Sequence, residues 1–228
     1  MNSSLNVESQ EVVLGYHGNL QHLEAMKWNV TSALEDFARS RTVRLIAVYD
    51  VEGLGKWRVG RPRGIEVVDK QWSQSAVANM LENADIGLVP HLLRPRRPLI
   101  PDWARRWQTS FGLNQRAYNS KDYQLRFKFS TNLNRIYPFI RWGVPVISDL
   151  TPSGSQVIDH GRTGFLAHNS QSWFFALDQL SRSSQIRAAV GALAHQNWPK
   201  KFDPQSIAGS CVDYLEALME ARRQGKRL

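Results

Sequence analysis

The chain has 228 residues, 42% hydrophobic and 21% charged, which describes a globular protein with room for one large domain or one domain carrying a long insertion. A single cysteine, Cys211, excludes an internal disulfide framework and a cysteine-based zinc site, and it fits a reducing compartment. The net charge of +9 is unevenly placed: residues 94–128 hold nine Lys or Arg against Asp102 and Asp122, so that stretch alone supplies +7.

Apolar runs such as "LIAVY" and "IGLVP" fall far below the roughly 18 residues a membrane span needs. The start, "MNSSLNVESQ", lacks the basic and apolar regions of a signal peptide, so a cytoplasmic location is expected, with residues 1–10 disordered.

In chain order, "VVLGY" (12–16) predicts a buried strand followed by the turn "HGN". Residues 21–39 space Leu23, Met26, Val30, Ala33, Leu34 and Phe37 at helical intervals and predict one helix. "VRLIAVYD" (43–50) and "GIEVVDKQW" (64–72) predict the second and third strands. A helix over 73–85 starts at Ser73 as its N-cap. "IGLVP" (86–90) is the fourth strand and "GVPVIS" (143–148) the fifth. A short helix, a glycine-bearing turn, the brief strand "GFLA" and a helix from Ser170 follow. Helices over 184–196 and 204–223 close the chain, with 224–228 a basic tail. Strands that are apolar throughout, separated by helices, predict an α/β fold of the doubly wound type, with a parallel sheet covered on both faces.

Residues 91–126 break this rhythm. They form a basic and aromatic insertion, too long for an ordinary strand-to-helix connection of 2–6 residues. The insertion leaves the carboxyl end of the fourth strand, the edge where open α/β sheets bind their ligands. Within it, "DWARRW" places Trp103 and Trp107 around Arg105 and Arg106, a pairing suited to lipid headgroups or a protein partner. A peripheral membrane contact is therefore expected through 94–107. A solvated loop is the plainer reading. Nucleic acid is the least favoured partner, because the basic residues lie in one insertion with no recognition module beside them.

The run "KFSTNLNR" (128–135) puts a lysine, two hydroxyls, two amides and an arginine before an apolar helical stretch. Capping accounts for Ser, Thr and Asn at such a place. An anion held by free N–H groups, with Lys128 and Arg135 adding charge, accounts for the whole set. The turn "GYHGN" adds a second loop at the same edge, where Gly15 and Gly18 let the backbone approach a ligand. Neither a GxGxxG fingerprint nor a P-loop is present. The two loops together point to a nucleoside diphosphate.

The stretch 128–180 resembles the donor-binding C-terminal half of GT-B-fold glycosyltransferases of the group 1 type. The resemblance rests on Lys128, then Gly143, Pro145 and Val146, then Val157, Ile158, Gly161, Thr163, Gly164, Phe165, Leu166 and Trp173. "GYHG" (15–18) and "ENADIGLVP" (82–90) extend it over most of 11–220 apart from the insertion. It implies a Rossmann-like domain (11–223) and transfer of a sugar from a nucleoside diphosphate sugar to a glycan or lipid-linked acceptor. It implies no cofactor and no metal. On this reading His17, Gly18 and Asn19 meet the donor, Lys128, Ser130, Thr131, Asn132 and Arg135 hold its diphosphate, and Asp69 and Trp72 lie where the family holds the base. Plainer readings stand beside these: His17 in an exposed turn, Trp72 in the core, and His91 and His160 incidental. Asp85 is expected to cap or pair near a helix end.

The sequence departs from the family in two ways. Ser130 and Pro138 occupy the positions of the family's carboxylate pair. The chain also has room for one Rossmann-like half, so an acceptor half from another polypeptide is expected to complete an enzyme, or the chain is a fragment; an acceptor-domain protein or a homo-oligomer is the expected protein partner. A non-catalytic nucleotide-sugar-binding subunit, or an inactive fragment, is the alternative.

Overall fold

The computed structural model describes residues 11–91, 133–202 and 204–224. Their elements in order are β1 (Val12–His17), α1 (Leu20–Ala25), a 3-10 turn (Met26–Trp28), α2 (Val30–Phe37), β2 (Val43–Tyr49) and α3 (Val51–Leu54). Next come β3 (Glu66–Gln71), α4 (Gln74–Asn83) and β4 (Ile86–Val89). After the insertion follow a 3-10 turn (Leu133–Arg135), α5 (Tyr137–Arg141), β5 (Val146–Asp149), α6 (Pro152–Val157) and β6 (Phe165–Ala167). Three helices end the described chain: α7 (Ser170–Ser181), α8 (Ser184–Phe202) and α9 (Pro204–Arg223).

The strands form one six-stranded sheet in the order β3-β2-β1-β4-β5-β6, with every pairing parallel. This is the doubly wound α/β class that the strand pattern predicts. Strands β1 and β4 are buried along nearly their whole length, as strands covered on both faces must be. One face packs Leu14 and Tyr16 against Leu34 and Phe37 of α2 and Trp173 and Leu177 of α7. The other packs Val48 and Val89 against Met80 of α4 and Phe139 and Ile140 of α5. Helix α8 reaches both cores, through Val190 and Ala194.

Three sequence expectations change. The helix expected over 21–39 is two helices, broken at Asn29, whose backbone (φ −140°, ψ −39°) is not helical. Leu23 and Met26 before the break, and Val30, Ala33, Leu34 and Phe37 after it, all bury into one core, so the apolar spacing survives the interruption. The fifth strand starts at Val146 rather than Gly143. Gly143, at φ +70°, ends the turn of α5, and Pro145 has no N–H to give a ladder. Helix α8 runs on to Phe202, past the expected end at 196.

Asp85 does pair near a helix end. Its carboxylate accepts from the Val13 N–H at 2.9 Å and meets Arg187 at 2.9 Å, tying α4 and α8 to β1.

Gly15 and Gly87 are register partners on β1 and β4. A Cβ at Gly87 would lie 2.6 Å from the Phe139 ring, and one at Gly15 3.2 Å from the same ring. The two glycines thus form a trough in the sheet, and Phe139 fills it. That seats the short α5 close against the sheet and brings the 3-10 turn before it to the sheet's carboxyl edge.

Candidate functional site

The chain runs from β1 outward to β2 and β3, then returns to the other side of β1 to make β4. The loops leaving β1 and β4 therefore diverge, and the crevice between them is where doubly wound sheets place their ligands. The lip on the β1 side is His17, Gly18 and Asn19. The lip on the β4 side is Pro90 and His91.

Gly18 makes the first lip possible. Its φ of +152° disfavours any side chain, and its N–H donates to the Val48 carbonyl at 3.1 Å. A Cβ there would lie 2.7 Å from the Tyr16 hydroxyl and 3.1 Å from Arg135 Cδ. Asn19 then caps α1, its Oδ1 accepting from the His22 N–H at 3.3 Å. The Tyr16 hydroxyl donates to the Asn19 carbonyl at 2.8 Å, fixing the turn from inside.

Arg135 joins the two lips. Its Nη1 donates to the Pro90 carbonyl at 2.9 Å and its Nη2 to His91 Nδ1 at 2.7 Å. Its own carbonyl accepts from His17 Nε2 at 3.1 Å. A guanidinium cannot accept a hydrogen bond, so His91 is unprotonated at Nδ1 and carries its proton on Nε2. The same logic puts the His17 proton on Nε2, because the partner is a carbonyl. The His91 N–H donates to Asp149 Oδ2 at 2.6 Å, and Trp173 Nε1 donates to Asp149 Oδ1 at 3.2 Å. Asp149 is 2% exposed and His91 is 2% exposed, so this polar chain lies inside the protein.

Burial sets the charge states. It lowers the His17 pKa to about 4, against a smaller upward pull from the bond to the Arg135 carbonyl, so His17 is neutral near pH 7. Burial likewise raises the Tyr16 pKa, and the nearby Arg135 charge opposes part of that rise. Burial lowers the Arg135 pKa, while Tyr16 and the Asp149 charge pull it back up.

The structure brings together His17, Gly18, Asn19 and Arg135 of the residues predicted for the site. His17 is the last residue of β1 and buried, not part of an exposed turn. Asp69 and Trp72 are elsewhere, separated from β1 by β2. The Asp69 carboxylate accepts from Arg61 Nη1 at 3.0 Å and from the Tyr49 hydroxyl at 2.9 Å. Trp72 is half exposed, correcting the core reading: it stands just past the end of the edge strand β3, where no neighbouring strand covers it. Lys128, Ser130, Thr131 and Asn132 lie outside the described residues, as does the insertion beyond His91.

Two members of the cluster were missed from sequence. His91, read as incidental, is central, and Asp149 was not singled out. Their signal was positional: each stands at the carboxyl end of an apolar strand, "IGLVP" and "VPVIS".

No family model matches the chain, and no curated protein matches it. Solved structures do. HepE from Anabaena, in complex with UDP-glucose, superposes with a TM-score of 0.52 at 14% identity, over 91% of this chain and 49% of that one. Sucrose-phosphate synthase from Thermosynechococcus elongatus gives 0.56 at 15% identity, over 95% and 48%. A glycosyltransferase from Rickettsia africae gives 0.57 at 12% identity, over 93% and 49%.

The fold is that of one half of a GT-B glycosyltransferase.

The chain spans about half the length of these structures. Among the described residues, no helix is long and apolar enough to cross a membrane.

Proposed function

We propose that this chain is the donor-binding half of a glycosyltransferase, holding a nucleoside diphosphate sugar for transfer to an acceptor bound by a second half. The observation that carries this reading is the reversal of strand order between β1 and β4, which sets the Gly18 turn and the Pro90–His91 loop on either side of the switch point at the sheet's carboxyl edge. Open α/β sheets take their ligands at such a point. The likeness to a fold solved with UDP-glucose in HepE supports the same ligand class. Lys128 and the polar run 130–132 would add a full charge and hydrogen-bond donors to the diphosphate.

Calorimetric titration with uridine, UDP, guanosine and GDP tests this. One of the two diphosphates should bind more tightly than its nucleoside, and Lys128→Ala should weaken it by about 1.5–3 kcal/mol, as for a hydrogen bond to a charged group. Arg96→Ala and Arg105→Ala should leave it nearly unchanged. If neither diphosphate outbinds its nucleoside, the donor reading fails.

The second reading is a nucleotide-sugar-binding subunit without catalytic activity. Pro138, inside α5 at the place of a family carboxylate, favours it. Turnover after pairing with an acceptor half separates the two.

A further inference from the structure

We propose that Arg135 is a positioning residue of the crevice, setting the distance between its two lips, and that it does not itself bind the diphosphate. This rests on the donor-binding reading for its ligand but on the geometry for its mechanism. The Arg135 side chain is used along its whole length. Its Cδ packs beneath Gly18, where even a Cβ would come within 3.1 Å. Its Nη1 and Nη2 each donate to the far lip, one to the Pro90 carbonyl and the other to His91 Nδ1. Its backbone carbonyl takes the proton of His17 on the near lip. Asp149, behind His91, holds the His91 backbone N–H at 2.6 Å.

A cation reserved for an incoming phosphate would be left short of internal acceptors. Arg135 has two, both on the far lip. The planar fork is what makes the span possible: two donors at a fixed angle reach two acceptors on one loop, which a lysine ammonium at the end of a flexible stem does not reproduce. The Pro90–His91 lip is therefore registered against the Gly18 lip by one side chain. His91 is held as a single tautomer by the same bond.

The test compares charge with shape. Arg135→Lys keeps the charge and loses the fork, and Arg135→Ala loses both. If Arg135 positions the lips, the two variants lose UDP affinity alike, by about tenfold or more, and uridine affinity falls with it. The salt dependence of UDP binding then stays as in the unaltered chain. If Arg135 contacts the diphosphate, Lys keeps affinity within about threefold, Ala loses UDP affinity but not uridine affinity, and the salt dependence weakens. That pattern overturns the proposal.

Should Arg135→Lys lack a cooperative melting transition, His91 supplies a second pair. Asn at this position offers an acceptor near the place of Nδ1, so His91→Asn should retain UDP affinity within about threefold while His91→Leu loses about tenfold. Equal losses in both would overturn the proposal. Imidazole nitrogen NMR shifts of the unaltered chain give a check free of nucleotide: His91 should show an unprotonated Nδ1 and a protonated Nε2 at pH 7. A protonated Nδ1 would overturn the bridge. A chain that binds neither UDP nor GDP would sink only the donor reading and leave this measurement to decide the bridge.

Discussion

His17 shows how a residue at the edge of a ligand crevice is tied to stability. It is the last residue of β1, its ring stands 5.3 Å from the Phe139 ring, and burial holds its folded pKa at about 4. In the unfolded chain a histidine titrates near its ordinary value of about 6.5. As pH falls through 6.5 the unfolded chain takes up a proton that the folded chain refuses until about 4. The stability contributed by neutral His17 is therefore full above 6.5 and is lost progressively between 6.5 and 4, by about 3 kcal/mol in all. His17→Gln, which retains an N–H for the Arg135 carbonyl and does not titrate, should remove that slope. Urea unfolding at pH 7.5 and 4.5 should show the unaltered chain losing about 2.5 kcal/mol more than the variant. Equal losses would mean that the ring reaches water in the folded state.

Elements were more legible in the sequence than contacts. The inner strands β1, β4 and β5 could be read because parallel strands covered on both faces are largely apolar, and α4 because Ser73 caps it, its Oγ accepting from the Ala76 N–H at 3.0 Å. The break at Asn29 was invisible because both pieces bury the same face. The site was half legible. "GYHGN" marks its own turn, since Gly18 needs a conformation that other residues avoid. The Arg135–His91–Asp149 chain joins residues 44 and 58 positions apart, and no local pattern announces such pairing.

Helix α9 is the element with the plainest exposure. Ile207, Val212, Tyr214, Leu215 and Met219 are each 49–65% exposed. A helix with so little tertiary cover is only marginally stable in water, since packing supplies most helical stability in proteins. Amide hydrogen exchange should therefore find residues 207–217 exchanging orders of magnitude faster than β1. Protection equal to that of β1 would show that a second copy covers the helix. Sedimentation velocity on the same sample would then show that species.

At the scale of the whole molecule, the chain matches about half of each of the three structures compared above. Holding two reactants in register is worth roughly 7–11 kcal/mol of a reaction barrier, and a single lip-and-crevice half supplies only one side of that alignment. Purified chain incubated with a panel of nucleotide sugars should bind them and transfer none, and an acceptor half should restore transfer. Turnover by purified monomer alone would overturn this expectation.

The bridge across the crevice also fixes when, during synthesis, the protein can first bind. β1 is made early, but its partner across the site is Arg135, 118 residues later, and the carboxylate behind that bridge is Asp149. Among the described residues all the strand pairings are parallel, so none of them is a hairpin that forms early and holds a place for the rest. Contacts of such sequence separation close late, after the entropy of the intervening loop has been overcome. A nascent chain released from the ribosome before residue 149 would carry four finished strand sequences and no closed crevice. On the donor-binding reading proposed above, binding is thus a late folding event for this chain, and retention on an immobilised nucleotide should sort completed molecules from stalled ones.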